Sequence, residues 1–372
     1  MKNLFKISLL SCVILISSCS KDNDPEPIAC ELTATPTTYA FTNADGVNTV
    51  AFTGQIARLQ KAKEVYDMMN ADLTVTTADI DALIDDANSK LITKTAENDP
   101  NRAAVIATLN SIMETYAASS ANFENEVTAE NGVAGFGPAN YQLDANGWEP
   151  DQQYAKMLIG ALCLEQNAYD YLTKIDLANN NIAPDGDNAY TKSEHYWDEA
   201  FGYVYGLDSD LGETADISGG LLLGKYLTKH DGIGNDYSGE DLLGNSYNAY
   251  LMGRQAIVDN CQEELDRNIE ILNVNLSKVV AFHAADYLRS SASLALDATS
   301  KFHHSISEGW GFVFSLQFTK MADGMPLFTH AEVMDMISTL EENGAYGLRS
   351  VEGAATLNAM ADQIDAAVAA SK

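Results

Sequence analysis

Apolar residues recur along most of this chain with a period of about 3.6 residues, which is typical of helices that bury one face. The stripes predict helices over 56–69, 80–91, 105–116, 151–176, 190–206, 247–273, 276–300, 303–321, 331–342 and 354–370. A capping-box pattern from Thr76 to Asp79 opens the second of these helices. Extended structure is indicated around Phe41. We therefore expect an all-α fold built from helical bundles.

Two long stretches interrupt this helical pattern. Residues 126–150 are rich in glycine and contain two prolines, and residues 207–246 are rich in glycine and aspartate. We expect long loops in both stretches, because these residues favour turns over regular helices. The expected organisation is an all-helical domain over 36–372, composed of two packed sub-bundles at 50–125 and 150–372.

The first residues of the chain resemble a bacterial lipoprotein signal. Lys2 and Lys6 precede an apolar run to Ile16, and small residues stand directly before Cys19. This arrangement resembles the lipobox, in which the cysteine thiol is acylated and becomes the first residue of the mature chain. We predict a signal peptide over 1–18 and lipidation of Cys19, with an uncleaved membrane anchor as the alternative.

The predicted mature chain begins with a polar, acidic tether over 19–35 that includes Pro25 and Pro27. Such a segment buries too little apolar surface to fold by itself. It is similar to the acidic surface-export signal of Bacteroidetes lipoproteins. This resemblance implies a protein that is held in the outer membrane by its lipid and displayed on the cell surface, with the periplasmic face as the alternative.

Composition and charge narrow the partners that this chain can take. With 372 residues, 46% of them hydrophobic, it is long enough to bury a large core. Its formal net charge of −31 opposes nucleic-acid binding, because two polyanions repel each other. The same charge fits cationic ligands, and it also fits plain solubility.

Cysteine usage gives no sign of a disulfide framework. After Cys19 the chain contains Cys30, Cys163 and Cys261, an odd and sparse set that allows at most one bridge. Cys163 and Cys261 fall in predicted helices, so we interpret them as small buried hydrophobic side chains. We do not expect a disulfide.

Several catalytic and cofactor motifs do not occur in the sequence. It has no His-Glu-x-x-His, no nucleophile-elbow serine, no phosphate-binding loop and no Cys-x-x-Cys pair. These absences disfavour hydrolase, nucleotide-binding and structural-zinc functions. The sequence therefore favours a non-enzymatic role.

One predicted helix carries residue types that ligate metals. In the helix over 190–206, His195, Asp198 and Glu199 stand three and four positions apart, so they are neighbours on one face. Imidazole and carboxylate groups suit iron and other divalent metals, and these residues predict half of a metal site. The alternative is a solvated helix face with an ordinary His–carboxylate pair.

Two further polar residues interrupt apolar stripes. A buried carboxylate without a partner is costly. We therefore expect Glu165 to pair with a cation, either Arg254 or a metal, or to lie where water reaches it between helices. His283 is interpreted as a core histidine or as a further ligand. Ligands on facing helices can converge in a bundle, so Glu165 and His283 join the candidate metal site. His304 and Glu308 stand four positions apart on another face of a strongly aromatic helix.

Several segments, spread over about 36–340, carry a family resemblance. They are Phe52–Leu59, Trp148–Gln166, His195–Tyr203, Gly253–Val258 and Phe314–Phe318. Together they resemble the Bacteroidetes lipoprotein family known as domain of unknown function 4856, and the run His-Tyr-Trp-Asp-Glu-Ala-Phe-Gly-Tyr is the most specific part. That family has no established activity to transfer.

Genes of this family commonly stand beside imelysin-like proteins and outer-membrane receptors, in loci that look devoted to iron uptake. The resemblance therefore implies imelysin-like helical bundles and a role in iron acquisition. Imelysin-like proteins bear Gly-x-His-x-x-Glu around the position of His195. Here Ser193 replaces the glycine and Asp198 replaces the glutamate.

Three functions follow from these observations. The leading hypothesis is a surface-anchored, non-enzymatic lipoprotein that binds iron, haem or another metal during its acquisition. The second is an interaction module that docks an outer-membrane receptor or an imelysin-like lipoprotein without a metal. The third is an imelysin-like metallopeptidase.

Overall fold

The structure is a computed structural model that describes residues 30–84, 87–207, 222–232, 240–297 and 301–371. The predicted signal peptide and Cys19 lie outside these residues, as does much of the predicted loop over 207–246. The all-α prediction is confirmed. The α-helices are α1 Thr53–Met68, α2 Thr77–Ile84, α3 Leu91–Lys94, α4 Arg102–Glu124, α5 Pro150–Leu158, α6 Lys192–Tyr205, α7 Leu223–Gly232, α8 Leu242–Val258, α9 Gln262–Leu294, α10 Phe302–Ser315, α11 His330–Glu341, α12 Gly344–Gly347 and α13 Val351–Ala370.

Side-chain caps fix the starts of several helices. The predicted capping box before α2 is confirmed, because the Asp79 amide donates to the Thr76 hydroxyl over 3.2 Å and the Thr76 amide donates to the Asp79 carboxylate over 2.8 Å. Thr191 with Glu194 caps α6 in the same reciprocal way. These bonds satisfy amides that a helix start leaves without an intrahelical partner.

Two predicted helix boundaries are wrong. The sequence pattern placed a break between 273 and 276, whereas α9 runs through it and the chain turns at Asn260, whose φ is +56°. The stripe over 80–91 is divided between α2 and α3, and Lys90 before α3 has φ +53°. Left-handed residues end helices without any change in apolar periodicity, so the stripes alone did not locate these turns.

The predicted helix over 151–176 is α-helical only in its first part. After α5 come two π-helical segments, Ile159–Leu164 and Gln166–Asp170, and then a 3-10 turn. The Ser315 hydroxyl accounts for the first of these segments, since it accepts the Gly160 amide over 3.0 Å and donates to the Lys156 carbonyl over 2.8 Å. A side chain that enters the helical ladder in this way widens the helix.

The stretch over 126–150 is partly ordered. Strand β1, Gly135–Phe136, pairs antiparallel with β2, Gln142–Leu143, and a 3-10 turn over Pro138–Asn140 joins them. Ala139 and Asn140 in this turn have positive φ values of 59° and 62°. The hairpin packs against α4.

Helix α9 is the centre of the packing. It contacts α8, α10 and α13, while α10 also packs on α5, and α5 on α4. The buried apolar side chains form one cluster that reaches from Tyr39 to Val368. The division into two sub-bundles stays a prediction. No helix in the described part of the chain is both long and apolar enough to span a membrane.

A disulfide joins the start of the described chain to the corner between α8 and α9, contrary to the expectation from cysteine usage. Cys30 and Cys261 are bonded with a Cα–Cα distance of 5.8 Å. Beside the bond, the Thr33 hydroxyl donates to Asp259 over 2.7 Å. Cys163 is free and buried, as predicted. The partners are 231 positions apart, so their proximity is a property of the folded chain.

Candidate functional site

Asp198, the central residue of the predicted metal site, lies in the protein interior. Its side chain is 0% exposed. One carboxylate oxygen accepts the Arg254 Nε over 3.0 Å and the Tyr39 hydroxyl over 2.7 Å, and the other accepts the Ala51 amide over 3.0 Å. Burial raises the pKa of this carboxyl, although Arg254 acts in the opposite direction. Both oxygens are therefore engaged by protein donors.

Arg254 completes this buried cluster. It also donates to Glu194 over 2.8 Å and to the Thr49 hydroxyl over 3.0 Å. The sequence offered Arg254 as a cation for Glu165, but its ion pairs are with Glu194 and Asp198. The cluster ties the segment before α1 to α6 and α8.

His195 and Glu199 remain as a partly exposed pair. The His195 Nδ1 lies 3.1 Å from the Ala51 carbonyl, which can only accept, so Nδ1 carries the proton. Its Nε2 lies 3.8 Å from the Glu199 carboxylate, and its ring stacks on Tyr190 with centroids 4.5 Å apart. Gln55 donates to Glu199 over 3.0 Å. Of the three candidate ligands on α6, the structure thus places His195 and Glu199 together and buries Asp198 in the core.

The family-specific run around these residues also packs the fold. The Trp197 indole donates to the Tyr250 carbonyl over 2.9 Å, and a Cβ on Gly253 would lie 2.1 Å from its ring. A Cβ on Gly202 would lie 2.7 Å from the Phe52 side chain, so the glycine lets α6 pack closely against the start of α1. The run therefore fixes the segment before α1 in its place.

Glu165 and His283 lie apart from this pair, each with its own partners. Glu165 accepts the Asn98 amide over 2.7 Å and the Gln166 side chain over 2.8 Å, and it lines a cavity. The His283 Nε2 lies 2.9 Å from the Tyr226 carbonyl. Among the described residues, no group of three or more His, Cys, Asp or Glu side chains is placed to hold one metal ion.

A wide groove opens between the end of α4, the β1–β2 hairpin and the start of α5. Its volume is about 1060 Å³. It is lined by Asn70, Asp72, Phe123, Glu124, Glu126, Thr128, Ala129, Phe136, Gly137, Pro138, Asn140, Tyr141, Gln142 and Glu149. These described lining residues include four carboxylates and three aromatic rings, and they include no Lys or Arg.

The groove walls combine unusual backbone with an unsatisfied polar atom. Asp72, Glu126 and Asn140 have positive φ values of 48°, 53° and 62°. Such conformations cost energy in non-glycine residues and persist where the surrounding structure enforces them. Gln142 donates its amide nitrogen to Asp72, while its buried carbonyl oxygen has no hydrogen-bond donor in the described part of the chain.

Glu149, which lines the groove, is paired with His304, which does not line it. The His304 Nδ1 lies 2.7 Å from the Glu149 carboxylate, and Tyr141 stacks on the imidazole with centroids 4.5 Å apart. Burial raises the pKa of Glu149 to about 7, with His304 acting in the opposite direction. Burial opposes the charge on His304, but Glu149 and Glu308 outweigh it and raise the imidazole pKa.

A buried ion pair lies beside the Glu149–His304 pair. The Lys156 ammonium lies 3.0 Å from Glu308, which also accepts the Tyr226 hydroxyl over 2.9 Å and lies 3.5 Å from the His304 Nε2. Burial opposes ionisation of Glu308, but Lys156 and His304 lower its pKa to about 2. Glu308 therefore stays negatively charged near neutral pH. The Glu149–His304 pair holds a proton that the two groups share in this pH range.

Sequence reasoning noticed one part of this site. The spacing of His304 and Glu308 placed them four positions apart on one face of the helix, as α10 shows. Glu149 and Lys156 were missed, because they reach the site from the residue before α5 and from α5 itself, more than 140 positions away in sequence. The acidic groove itself has no signal in the local pattern.

The family described as "Domain of unknown function (DUF4856)" matches residues 36–369. The search of curated proteins and the search of solved structures each returned no match.

Proposed function

The chain belongs to the DUF4856 family, and from the geometry of its groove we propose that it is a lipid-anchored, non-enzymatic interaction protein that binds a cationic partner. Anchoring through Cys19 at the outer membrane is part of this proposal and rests on the lipobox resemblance. The Cys30–Cys261 disulfide supports export, because disulfides form and persist mainly in oxidising compartments.

The observation that carries the proposal is the acidic groove. Asp72, Glu124 and Glu126 carry carboxylates that line one open volume, Glu149 adds a carboxyl group that is paired with His304, and no Lys or Arg occurs among the described lining residues. A cleft of one sign of charge concentrates ligands of the opposite sign and speeds their arrival. The groove therefore favours ammonium or guanidinium groups over neutral or acidic ligands.

The aromatic side chains of the groove narrow the ligand further. Phe123, Phe136 and Tyr141 line it beside the carboxylates. Aromatic faces attract cations and also cover aliphatic chains, so they suit lysine or arginine side chains better than a hydrated metal ion. The volume of about 1060 Å³ exceeds what one small cation fills. A basic segment of a partner protein fits these features best.

Calorimetry with a hexalysine peptide tests this proposal, with hexaglutamate and spermidine as comparison ligands. Glu124 and Glu126 are exposed, so the double variant Glu124→Gln/Glu126→Gln leaves the core intact. We expect hexalysine to bind the wild type and to bind this variant about tenfold more weakly. At high salt this difference in affinity should be smaller, because salt screens the charges. Tighter binding of spermidine than of hexalysine would identify a small polyamine as the ligand instead.

A matched control separates the groove from the general acidity of the surface. Glu114 and Asp335 are exposed and do not line the groove. The variant Glu114→Gln/Asp335→Asn changes the net charge by the same amount, and we expect less than about a twofold loss of affinity. An equal loss in both variants, or no binding of hexalysine, would contradict a groove-specific function.

Metal acquisition is the second proposal, and the His195–Glu199 pair supports it. An imidazole Nε2 and a carboxylate lie 3.8 Å apart and are both partly exposed, which is compatible with two ligands of a metal completed by other donors. Elemental analysis and native mass spectrometry, after incubation with iron, copper, zinc or haem, test it. One bound ion or haem in the wild type that is lost in His195→Ala would support this function, and an empty wild type would contradict it.

A further inference from the structure

A second, smaller cavity lies on another side of the molecule. It has a volume of about 250 Å³ and is enclosed by the turn before α4, the second π-helical segment and the start of α11. It is lined by Asn98, Asp99, Pro100, Asn101, Glu165, Tyr169, Gln317, Pro326, Thr329 and His330. None of these residues lines the acidic groove.

Glu165 is the buried charged group of this cavity. It is 1% exposed, and its two oxygens accept the Asn98 amide over 2.7 Å and the Gln166 side chain over 2.8 Å. Within the described part of the chain, no Lys, Arg or His lies within 4.0 Å of its carboxylate. Burial raises the pKa of this carboxyl. A carboxylate in such a position is costly unless a cation offsets it.

The helix geometry places this carboxylate at the cavity. Glu165 stands between the π-helical segments Ile159–Leu164 and Gln166–Asp170. In a regular α-helix it would fall on the apolar stripe, as the sequence pattern predicted. Extra residues in a helical turn rotate the side chains that follow, and π-helical turns recur at functional sites.

The remaining walls are mostly apolar or already hydrogen-bonded. Pro100, Pro326 and the Tyr169 ring provide apolar surface. The Tyr169 hydroxyl donates to the Thr319 carbonyl over 2.6 Å, and the His330 Nδ1 lies 2.6 Å from the Gln317 side-chain oxygen. Asp99 also lines the cavity and accepts the Asn101 amide over 2.6 Å, so Glu165 is the more deeply buried of two carboxylates at this largely apolar chamber.

We propose that the Glu165 cavity binds a small organic monocation, an ammonium group carried on a short apolar body. The ammonium group would pair with the Glu165 carboxylate, and the body would pack on the prolines and the Tyr169 ring. Ligand pockets for drug-sized molecules are about 300–1,000 Å³, so a cavity of about 250 Å³ selects a smaller ligand.

Calorimetry with benzylamine, and with benzyl alcohol as a neutral ligand of the same shape, tests this site on the full-length chain. We expect the wild type to bind benzylamine at least about tenfold more tightly than benzyl alcohol. Glu165→Gln keeps the shape of the side chain and removes its charge, and we expect it to abolish this preference. Equal binding of both ligands, or no effect of Glu165→Gln, would overturn the proposal.

Two further variants keep the test decisive. Asn101 lines the cavity and makes no side-chain cap for α4, so its replacement should not disturb the helix start. We expect Asn101→Trp to fill the cavity and block benzylamine, which tests the site even if Glu165→Gln folds poorly. The groove variant Glu124→Gln/Glu126→Gln should bind benzylamine like the wild type. Loss of benzylamine binding in the groove variant alone would assign the amine to the groove, and failure of the wild type to bind benzylamine would also overturn the site.

Discussion

Asp198 and Glu199 show how one residue step changes the role of a carboxylate. Asp198 is engaged by Arg254, Tyr39 and the Ala51 amide in the interior, while Glu199 is partly exposed beside His195. On the helix surface the two residues looked like members of one ligand set. The segment before α1 covers Asp198 and leaves Glu199 partly exposed. Helical spacing does not tell which residue that segment will cover.

At this scale we expect Asp198→Asn to destabilise the protein by about 1.5–3 kcal/mol, because it removes the charge that strengthens the hydrogen bonds from Arg254 and Tyr39 and leaves the buried Arg254 with Glu194 as its remaining ion-pair partner. The free energy of unfolding in urea measures the effect in metal-free buffer. Glu199→Gln is the matched control, with an expected cost below about 1 kcal/mol, since its pair with His195 is partly exposed. A stable Asp198→Asn protein would show that the buried cluster is not structural.

Glu308 makes stability depend on acid. Its folded pKa of about 2 lies below the ordinary 4.5, so its ionised form stabilises the fold above that ordinary value, and this contribution is lost as the pH falls towards 2. The lowering of the Glu308 pKa from 4.5 to about 2 corresponds to a contribution of about 3 kcal/mol to the free energy of unfolding.

We expect Glu308→Gln to be clearly less stable than the wild type near neutral pH, because Lys156 is left buried without its carboxylate. The difference in unfolding free energy should shrink between about pH 4.5 and pH 2. Urea unfolding across this range measures it. A difference that does not change with pH would mean that the ion pair does not lower the pKa of Glu308.

At the scale of elements, the contact between the π-helical segment Ile159–Leu164 and the end of α10 depends on the absence of a side chain. A Cβ on Gly160 would lie 2.6 Å from the Ser315 Cα, which is backbone and cannot rotate away. We expect Gly160→Ala to push the helices apart and to cost about 1–3 kcal/mol. Thermal unfolding measures the loss.

Gly54→Ala in α1 is the control for that substitution. A Cβ there has open space around it, and alanine favours the helix over glycine, so the control should be neutral or slightly stabilising. If both variants lose the same stability, close approach at this contact is not the cause.

At the scale of the whole molecule, the Cys30–Cys261 bond closes a loop of the chain that spans most of the domain, with a sequence separation of 231. We expect Cys30→Ser to lower the free energy of unfolding by about 2–5 kcal/mol, because the unfolded chain gains freedom. Denaturation with and without reductant measures it. Reductant should lower the stability of the wild type and leave Cys30→Ser unchanged; an effect of reductant on the variant would point to another cause.

Apolar periodicity and capping patterns were enough to predict the helical architecture of this protein. Most helices were located from apolar periodicity, and the pair Thr76 and Asp79 predicted the start of α2. Both predictions succeeded because the burial of one helix face and the capping of a helix start depend on residues close together in sequence. Predicted boundaries were wrong where left-handed residues such as Asn260 turn the chain. The first π-helical segment was missed because the Ser315 hydroxyl that enters it comes from a distant helix.

The tertiary structure alone decided the sites. The acidic groove, the Glu149–His304 pair, the disulfide and the Glu165 cavity all join residues from elements far apart in sequence. A repeating pattern of polar and apolar residues tells which face of a helix is buried, but it does not tell which neighbour covers that face. Helix packing determines the partners of a buried carboxylate. Those partners set its charge and therefore whether it stabilises the fold or binds a ligand.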